Sequence, residues 1–309
     1  CLPVQPMCRH MDITMQKTKG MNEIATKRKR GDADALPIMV TPLYEGTFSV
    51  GLDKEFHPIS RGDAPAPGAL KLSIQPFLFR EEERNILFDT GIGDLFGGEP
   101  GAWRMRSNLE ALGLQCSDIT DIFLSHLHFD HIAGLANREH GSWELTFPNA
   151  TIYASKRGWM SLVEHADSLT DEEREFVYFV DLYGEFQFLE GEDGDEDGDE
   201  VTNEDQPLPH VRTRWIGGHT HHHLALFYEN GTQKFLMAGD VIGSKKALMR
   251  KYRAVYDADA ERGMMAREEL KQLAWKEQYT ILAYHETDSP MMRLAGWNTR
   301  TGYDIEEVA

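Results

Sequence analysis

The stretch Ser125 to His131 carries four side chains that commonly bind metal ions, placed within six positions. It follows the largely apolar run 121–124, which predicts a buried strand. Because alternate side chains of an extended segment share a face, the first two can point at one ion. The last two come after the chain turns and can reach a second ion. Histidine and carboxylate together suit zinc, manganese or iron better than calcium or magnesium. The four residues are His126, His128, Asp130 and His131.

The stretch reads Ser-His-Leu-His-Phe-Asp-His and resembles the His-x-His-x-Asp-His motif of the metallo-β-lactamase-fold hydrolases. That family adds a histidine in a Gly-His-Thr element, a bridging aspartate after a strand, and a last histidine near the C-terminus. The family also has an early Asp-Thr-Gly after a strand. This sequence contains all of these in the family's order, over about residues 38–290. They are Asp89-Thr90-Gly91, Gly218-His219-Thr220, Ala238-Gly239-Asp240 and Ala283-Tyr284-His285.

The resemblance implies a site for two divalent metal ions. Zinc is the first choice, and manganese or iron stay open because nitrogen and oxygen ligands without sulfur accept all three. In such hydrolases the two ions share a hydroxide that attacks a carbonyl, and Asp130 can orient the water or return a proton to the leaving group. The implied ligands are His126, His128 and His219 for one ion, Asp130, His131 and His285 for the other, and Asp240 between the two.

Asp89 and His223 are expected to support the ligands without binding a metal. Asp89 follows a predicted strand, and the family's aspartate at this place forms hydrogen bonds near the site. His223 lies four residues after His219, like the second histidine of the Gly-His-Thr-Pro-Gly-His form in lactonases and glyoxalase II. This sequence departs from that form because His221 and His222 replace Pro-Gly, and we interpret both as non-ligands.

The placement of tyrosine differs from that in one group of relatives. Lactonases of the acyl-homoserine type have a tyrosine three residues after the bridging aspartate, where this sequence has Gly243. Tyr284, which precedes the last histidine, is the substitute that the sequence offers for stabilising an oxyanion. A strand tyrosine is more often packed, and we place Tyr284 beside the ligands rather than among them.

The overall spacing and the Tyr-His ending are similar to the lactonase and organophosphate-hydrolase branch of the family. We therefore expect a metal-dependent hydrolase that cleaves a lactone or a carboxylic ester. One alternative is a thioester hydrolase of the glyoxalase II type, but that reading needs a basic helical region after His285. A phosphotriester hydrolase is another. In a different class, relatives with a di-iron site carry out redox chemistry, and a non-catalytic sensor would also keep the metals.

The charge of the chain limits its partners. The 309 residues include 51 acidic and 32 basic ones, and the net charge of −19 argues against nucleic acid or an anionic membrane as the main partner. No apolar run approaches the roughly 18 residues of a membrane-spanning helix. The three cysteines show no paired spacing, which favours a reducing compartment. We expect a cytoplasmic protein that binds a small ester or lactone, with a homodimer left open.

The pattern of strands and helices fits an α+β fold. The resemblance implies the αββα sandwich, in which two mixed β-sheets are flanked by helices. We expect one domain over residues 37–309, after a disordered basic tail over residues 1–36. Within the domain we predict a strand over 70–79, a helix over 258–277 and a final strand over 279–284 that delivers the last histidine.

An acidic stretch, residues 191–207, interrupts this pattern. Some of its residues fall at the positions of a calcium-binding EF-hand loop. A run this rich in Asp, Glu and Gly matches that pattern easily by chance, and the flanking helices are lacking. We interpret the stretch as a solvated acidic loop inserted into the domain. The matching residues are Asp193, Asp195, Asp197, Gly198 and Glu204.

Overall fold

The computed structural model describes residues 38–93, 101–138, 141–189, 204–231, 233–249, 251–254, 256–298 and 302–308. The predicted tail and residues 191–203 of the predicted acidic loop lie outside these ranges. Within them the elements, in chain order, are β1 (Met39–Pro42), β2 (Gly46–Val50), β3 (Phe56–Ile59), β4 (Leu70–Ile74), β5 (Phe77–Arg80), β6 (Asn85–Phe88), α1 (Gly101–Ala111), β7 (Asp121–Phe123), α2 (Phe129–Ile132), β8 (Ala136–Asn137), β9 (Glu144–Leu145), β10 (Thr151–Ser155), α3 (Lys156–Glu164), α4 (Asp171–Tyr183), β11 (Glu185–Leu189), β12 (Glu204–Leu208), β13 (Val211–Trp215), β14 (Leu224–Asn230), β15 (Gln233–Met237), α5 (Lys245–Met249), α6 (Ala260–Glu277), β16 (Thr280–Leu282), β17 (Met291–Asn298) and β18 (Gly302–Glu307).

Two mixed sheets form the centre of the domain. The first has the order β1-β5-β6-β7-β10-β11, and its neighbours from β6 to β11 are parallel. The second runs from β12 to β18 in sequence order and is antiparallel except for the parallel pair of β15 and β16. Parallel neighbours end at the same edge of a sheet. The chain therefore leaves β6 and β7 at neighbouring points of one sheet edge. The same holds for β15 and β16 in the second sheet.

The core explains why the two sheets pack face to face. Phe77 and Phe79 of β5 point towards the second sheet, whereas Leu78 between them points towards the helices of the first. In β14, Tyr228 faces the first sheet and Phe227 packs on the side of α6. Alternate side chains of a strand point to opposite faces, so each strand contributes to two apolar layers. The predicted αββα sandwich is confirmed.

The predicted single strand over 70–79 is wrong, because the chain forms two strands there. Leu70–Ile74 pairs with β2 in a separate three-stranded sheet, and Phe77–Arg80 pairs with β1 and β6. Pro76 lies between them and has no backbone N–H to continue a ladder. The strand that precedes the last histidine is also not the final one, since β17 and β18 extend the second sheet beyond it.

The predicted end of the acidic loop at residue 207 is also wrong, since β12 begins at Glu204. Oε1 of Glu204 lies 3.0 Å from a guanidinium nitrogen of Arg212 and accepts a hydrogen bond from Arg214 Nε. Strand pairing with β13 and these two arginines hold the segment against the second sheet. In the part of the chain that the structure describes, no helix is both long and apolar enough to cross a membrane.

Candidate metal centre

All seven predicted ligands lie where the strands of the two sheets end. The turn after β15 comes very close to the others because Gly239, at φ +45°, has no side chain. A Cβ atom there would lie 2.6 Å from His223 Nε2 and 2.7 Å from Ser125 Oγ. The ligands are placed as follows: His126 and His128 after β7, Asp130 and His131 in α2, His219 between β13 and β14, Asp240 in a 3₁₀ turn after β15, and His285 after β16.

His126, His128, His219 and one oxygen of Asp240 form what we call the first cluster. Nδ1 of His128 lies 3.1 Å from His126 Nε2 and 3.0 Å from His219 Nε2. Oδ2 of Asp240 lies 3.2 Å from His219 Nε2. Each of the four residues offers one ligand atom, and these atoms lie within 4.8 Å of one another. The set has the nitrogen and oxygen donors that a zinc-type ion accepts.

Asp130, His131, His285 and the other oxygen of Asp240 form the second cluster. Oδ2 of Asp130 lies 3.7 Å from His131 Nε2 and 3.6 Å from His285 Nε2. Oδ1 of Asp240 lies 3.1 Å from the first of these nitrogens and 2.9 Å from the second. Asp240 therefore places one carboxylate oxygen in each cluster.

Three buried atoms of the second cluster lack a hydrogen bond. Among the described residues, His131 Nε2, His285 Nε2 and Asp240 Oδ1 converge without a hydrogen bond of acceptable geometry. Buried polar atoms normally have a partner, and leaving one unsatisfied costs about 1–3 kcal/mol. Two ring nitrogens and a carboxylate oxygen that face one another in this way fit a shared cation. The residues present therefore suit a bound metal.

The protonation states of His126 and Asp240 also fit metal binding. Burial, reinforced by the neighbouring histidines, lowers the pKa of His126 well below its ordinary value and keeps the ring neutral. Burial raises the pKa of Asp240, but His285, His219 and His131 outweigh it and hold the pKa well below the usual range. Burial lowers the pKa of His131 and His285, and the facing carboxylates reverse that effect and raise both. A metal ion would meet an ionised Asp240 and would displace the protons that this carboxylate attracts.

Asp89 orients two of the histidines from behind, as predicted for its place in the sequence. Its Oδ2 lies 2.7 Å from His131 Nδ1, and it accepts hydrogen bonds from both the backbone N–H and the hydroxyl of Ser125. The Ser125 hydroxyl also lies 3.1 Å from His126 Nδ1. Asp89 is fully buried, with a left-handed backbone at φ +58°. One carboxylate thus fixes a ring in each cluster.

The rings of His285 and His219 have hydrogen-bond partners that the sequence did not reveal. Nδ1 of His285 lies 2.9 Å from the backbone carbonyl oxygen of Ser73. Nδ1 of His219 lies 3.0 Å from Oδ1 of Asp257, whose side chain is 1% exposed. A backbone carbonyl leaves no trace in sequence, and Asp257 stands 38 positions from its partner in a segment without a motif.

His223 and Tyr284 also lie beside the ligands. His223 Nε2 donates to the Ala238 carbonyl at 3.1 Å, and its ring stacks on His126 at a centroid distance of 4.4 Å. The Tyr284 ring stacks on His131 at 4.0 Å, and its hydroxyl donates to the Asp130 carbonyl at 2.7 Å. Because Tyr284 is fully buried and its hydrogen is already donated, the suggestion that it stabilises a substrate oxyanion is wrong.

The centre opens to solvent on the side of His128, which is exposed. Tyr256, 52% exposed, lies beside this opening with its ring 5.9 Å from that of His219. Burial, Tyr252 and Asp240 together raise the pKa of Tyr256 to about 12, so its hydroxyl keeps its proton at neutral pH. An incoming molecule would therefore meet the first cluster and the neutral phenol of Tyr256 at this opening.

Residues 72–282 match the family model described as the metallo-beta-lactamase superfamily. The chain belongs to this superfamily. The matched range begins in β4, ends in β16 and contains all the predicted ligands except His285. The superfamily assignment made from the ordered motifs is confirmed. A search of curated proteins found no match.

Solved structures with this fold include several hydrolases. A probable metal-dependent hydrolase from Staphylococcus aureus is 18% identical, with a TM-score of 0.65 over 90% of this chain and 100% of that one. The dizinc quorum-quenching lactonase AidC, in complex with a product, is 19% identical, with a TM-score of 0.68 over 90% and 97%. The hydrolase AbOPH is 21% identical, with a TM-score of 0.68 over 90% and 97%. At these identities the likeness shows the shared fold.

Proposed function

We propose that this protein is a hydrolase that uses two divalent metal ions to cleave a lactone or a carboxylic ester. The observation that carries the proposal is the position of Asp240, whose Oδ2 lies 3.2 Å from His219 Nε2 and whose Oδ1 lies 2.9 Å from His285 Nε2. A carboxylate shared in this way between two histidine clusters is suited to hold two cations. Zinc is our first choice for both, with manganese and iron open, because nitrogen and oxygen donors without sulfur accept all three.

The two clusters would each hold one ion, with Asp240 shared. When bound, two such ions lower the pKa of a water molecule and polarise the bond that it attacks. The chain itself keeps His126 neutral and Asp240 ionised, and Asp89 and Asp257 fix the rings that face the ions. The protein therefore supplies a rigid cage that needs little rearrangement when substrate arrives.

Asp130 is the residue that we propose for proton transfer. Its side chain is 12% exposed, and its Oδ2 lies 3.6–3.7 Å from the ring nitrogens of His131 and His285. The carboxylate thus borders the second cluster and retains access to solvent. In this position it can accept a proton from the attacking water and return it to the leaving oxygen.

The ester or lactone assignment is supported by the chemistry of the site and by one solved relative. Ser125, the serine beside the clusters, is fully buried and its hydroxyl donates to Asp89, so the cage suits direct attack by water on a carbonyl carbon. AidC, which shares the fold, is a dizinc lactonase crystallised with a product. Position 243 has no tyrosine, and the phenol of Tyr256 at the opening is a donor that a substrate carbonyl could meet.

The test is hydrolysis by metal-depleted protein, before and after zinc is restored. Lactones, aryl esters, thioesters and phosphotriesters form the substrate panel. We expect the depleted protein to be inactive and zinc to restore turnover, with lactones or carboxylic esters as the best substrates. Turnover that resists chelation would contradict the metal mechanism. Fully loaded protein that cleaves only thioesters or phosphotriesters would refute the substrate class, and loaded protein without any turnover would refute the enzyme itself.

A further inference from the structure

Helix α6 and the segment before it pack against the loop that carries His219, outside the two clusters. Ala258 N donates to the His219 carbonyl at 3.1 Å, and Asp259 N donates to the Gly218 carbonyl at 2.9 Å. A Cβ atom at Gly218, where φ is +95°, would lie 2.4 Å from Gly263 Cα. The loop that carries His219 therefore lies directly on the first turn of α6, with no room for a side chain between them.

Asp257 orients the His219 ring from this side. Its Oδ1 accepts from His219 Nδ1 at 3.0 Å, which leaves Nε2 to face His128 and Asp240. The two side chains are 1% and 5% exposed, so water does not compete for this contact. A histidine that donates its outer N–H to a carboxylate has its tautomer and ring orientation fixed.

The second oxygen of Asp257 is buried, and among the described residues it has no hydrogen bond. The side chain that compensates its charge is Arg267 of α6, whose Nη2 lies 4.0 Å away and which is also 1% exposed. Without a nearby cation, a buried carboxylate is unstable. Gly263 leaves room for the Asp257 carboxylate, because a Cβ atom at position 263 would lie 2.6 Å from Asp257 Oδ2.

Arg267 also reaches the turn that carries Asp240. Its Nε donates to the Val241 carbonyl at 2.7 Å, and its Nη1 donates to the Tyr252 carbonyl at 2.8 Å. The guanidinium is planar, so these contacts and the one with Asp257 have fixed relative directions. One buried side chain thus ties together the segments that carry two members of the first cluster.

We infer that Asp257 and Arg267 are a pair of positioning residues dedicated to the first cluster. The inference rests on the proposed function, because it concerns how tightly that cluster holds its ion. The two histidines of the second cluster have supports other than this pair: Asp89 behind His131, and the Ser73 carbonyl behind His285. The pair therefore controls the affinity for the ion of the first cluster more than that for the other ion, which depends on the pair only through the shared Asp240.

The test is chelator competition on protein loaded with two equivalents of zinc. Asp257→Ala and Arg267→Met are expected to release the ion of the first cluster at about 10- to 100-fold lower chelator concentration than the wild type, while the release of the second ion shifts much less. Asp257→Asn and Arg267→Lys are the conservative variants and should give smaller shifts of the first ion. The visible spectrum of the cobalt(II)-loaded variants should change mainly for that ion.

The matched control is Lys271→Met, one turn further along α6. Lys271 is also buried, and among the described residues its ammonium group pairs with Glu268 of the same helix. The variant Lys271→Met is expected to lower the melting temperature without shifting the chelator midpoint of one ion relative to that of the other. If the Asp257 and Arg267 variants release both ions at the wild-type chelator midpoint, or if both midpoints shift equally, the positioning role alone would be overturned. Wild-type protein that binds no zinc would overturn the proposed function as well.

Discussion

The variant Asp240→Ala is expected to lose hydrolytic activity and both metal ions together. Asp240 places one oxygen beside His219 and the other beside His131 and His285, so its removal takes a ligand from each cluster. It also removes the negative charge that the facing histidines require. Because a bound ion contributes several kcal/mol to the transition state, activity should fall by about three powers of ten or more. Turnover and metal content of the same preparation measure both effects.

Two further histidine variants show whether this loss is specific. His128→Ala removes a member of the first cluster alone, so protein of this variant should keep the ion of the second cluster. His221→Ala changes an exposed histidine of a nearby loop, whose backbone carbonyl accepts from Trp215 and is unaffected. We expect His221→Ala to keep both ions and full activity. An Asp240→Ala protein that retains two ions would contradict the bridging role.

The variant Asp89→Asn is expected to lower stability, metal affinity and activity at once. The amide has nearly the shape of the carboxylate and tolerates the left-handed backbone at this position. However, an NH₂ group in place of Oδ2 would face the Nδ1–H of His131 and would favour the opposite tautomer of that ring. The ring would then direct a proton, rather than a lone pair, at the ion that the second cluster would hold. Metal affinity and activity should each fall by about 10- to 100-fold.

The loss of stability has a separate control. Breaking a buried charge pair costs about 3–5 kcal/mol, which corresponds to a decrease of about 10 °C in melting temperature. Asp121→Asn removes another buried carboxylate, which pairs with Arg84 at 2.8 Å at the opposite end of β7. Both variants should unfold at lower temperature, but only Asp89→Asn should weaken metal binding. Equal metal affinity in the two proteins would show that Asp89 has a structural role alone.

The ordered motifs pointed to residues that lie together in the structure, because each proposed ligand comes after a strand. Most of these strands are short, buried and largely apolar, so their ends are visible in the sequence, and sheet packing brings those ends together. The exception is β13, which carries two arginines and is partly exposed. Asp89 and His223 were also identified, since both lie within motifs. The structure brings these residues together as the resemblance implied. Their roles as ligands or supports remain predictions that the variants test.

Contacts made by distant segments could not be predicted. Asp257 and Arg267 lie in a region whose only signal was the helix pattern over 258–277, and α6 indeed covers Ala260–Glu277. Their importance depends on how closely Gly218 approaches Gly263, which is a property of tertiary packing. The oxyanion role suggested for Tyr284 was wrong for a similar reason, because the partner of its hydroxyl is the backbone carbonyl of Asp130.

The errors in the fold are local. Pro76 divides a run that otherwise alternates like one strand, and β17 contains a register shift between Leu294 and Gly296 that disturbs its alternation. A β-bulge of this kind conceals the period of two on which strand prediction depends. None of these errors, including the misplaced end of the acidic loop, affects the centre, because the strands before the proposed ligands are placed correctly.

The central claim is that two metal ions share Asp240. The most direct measurement is the metal content per chain of the wild-type protein, purified without added metal and again after loading with zinc. We predict two equivalents that compete for chelator at separable midpoints and that both disappear in Asp240→Ala. A single equivalent after loading, or two that survive the loss of Asp240, would contradict the account.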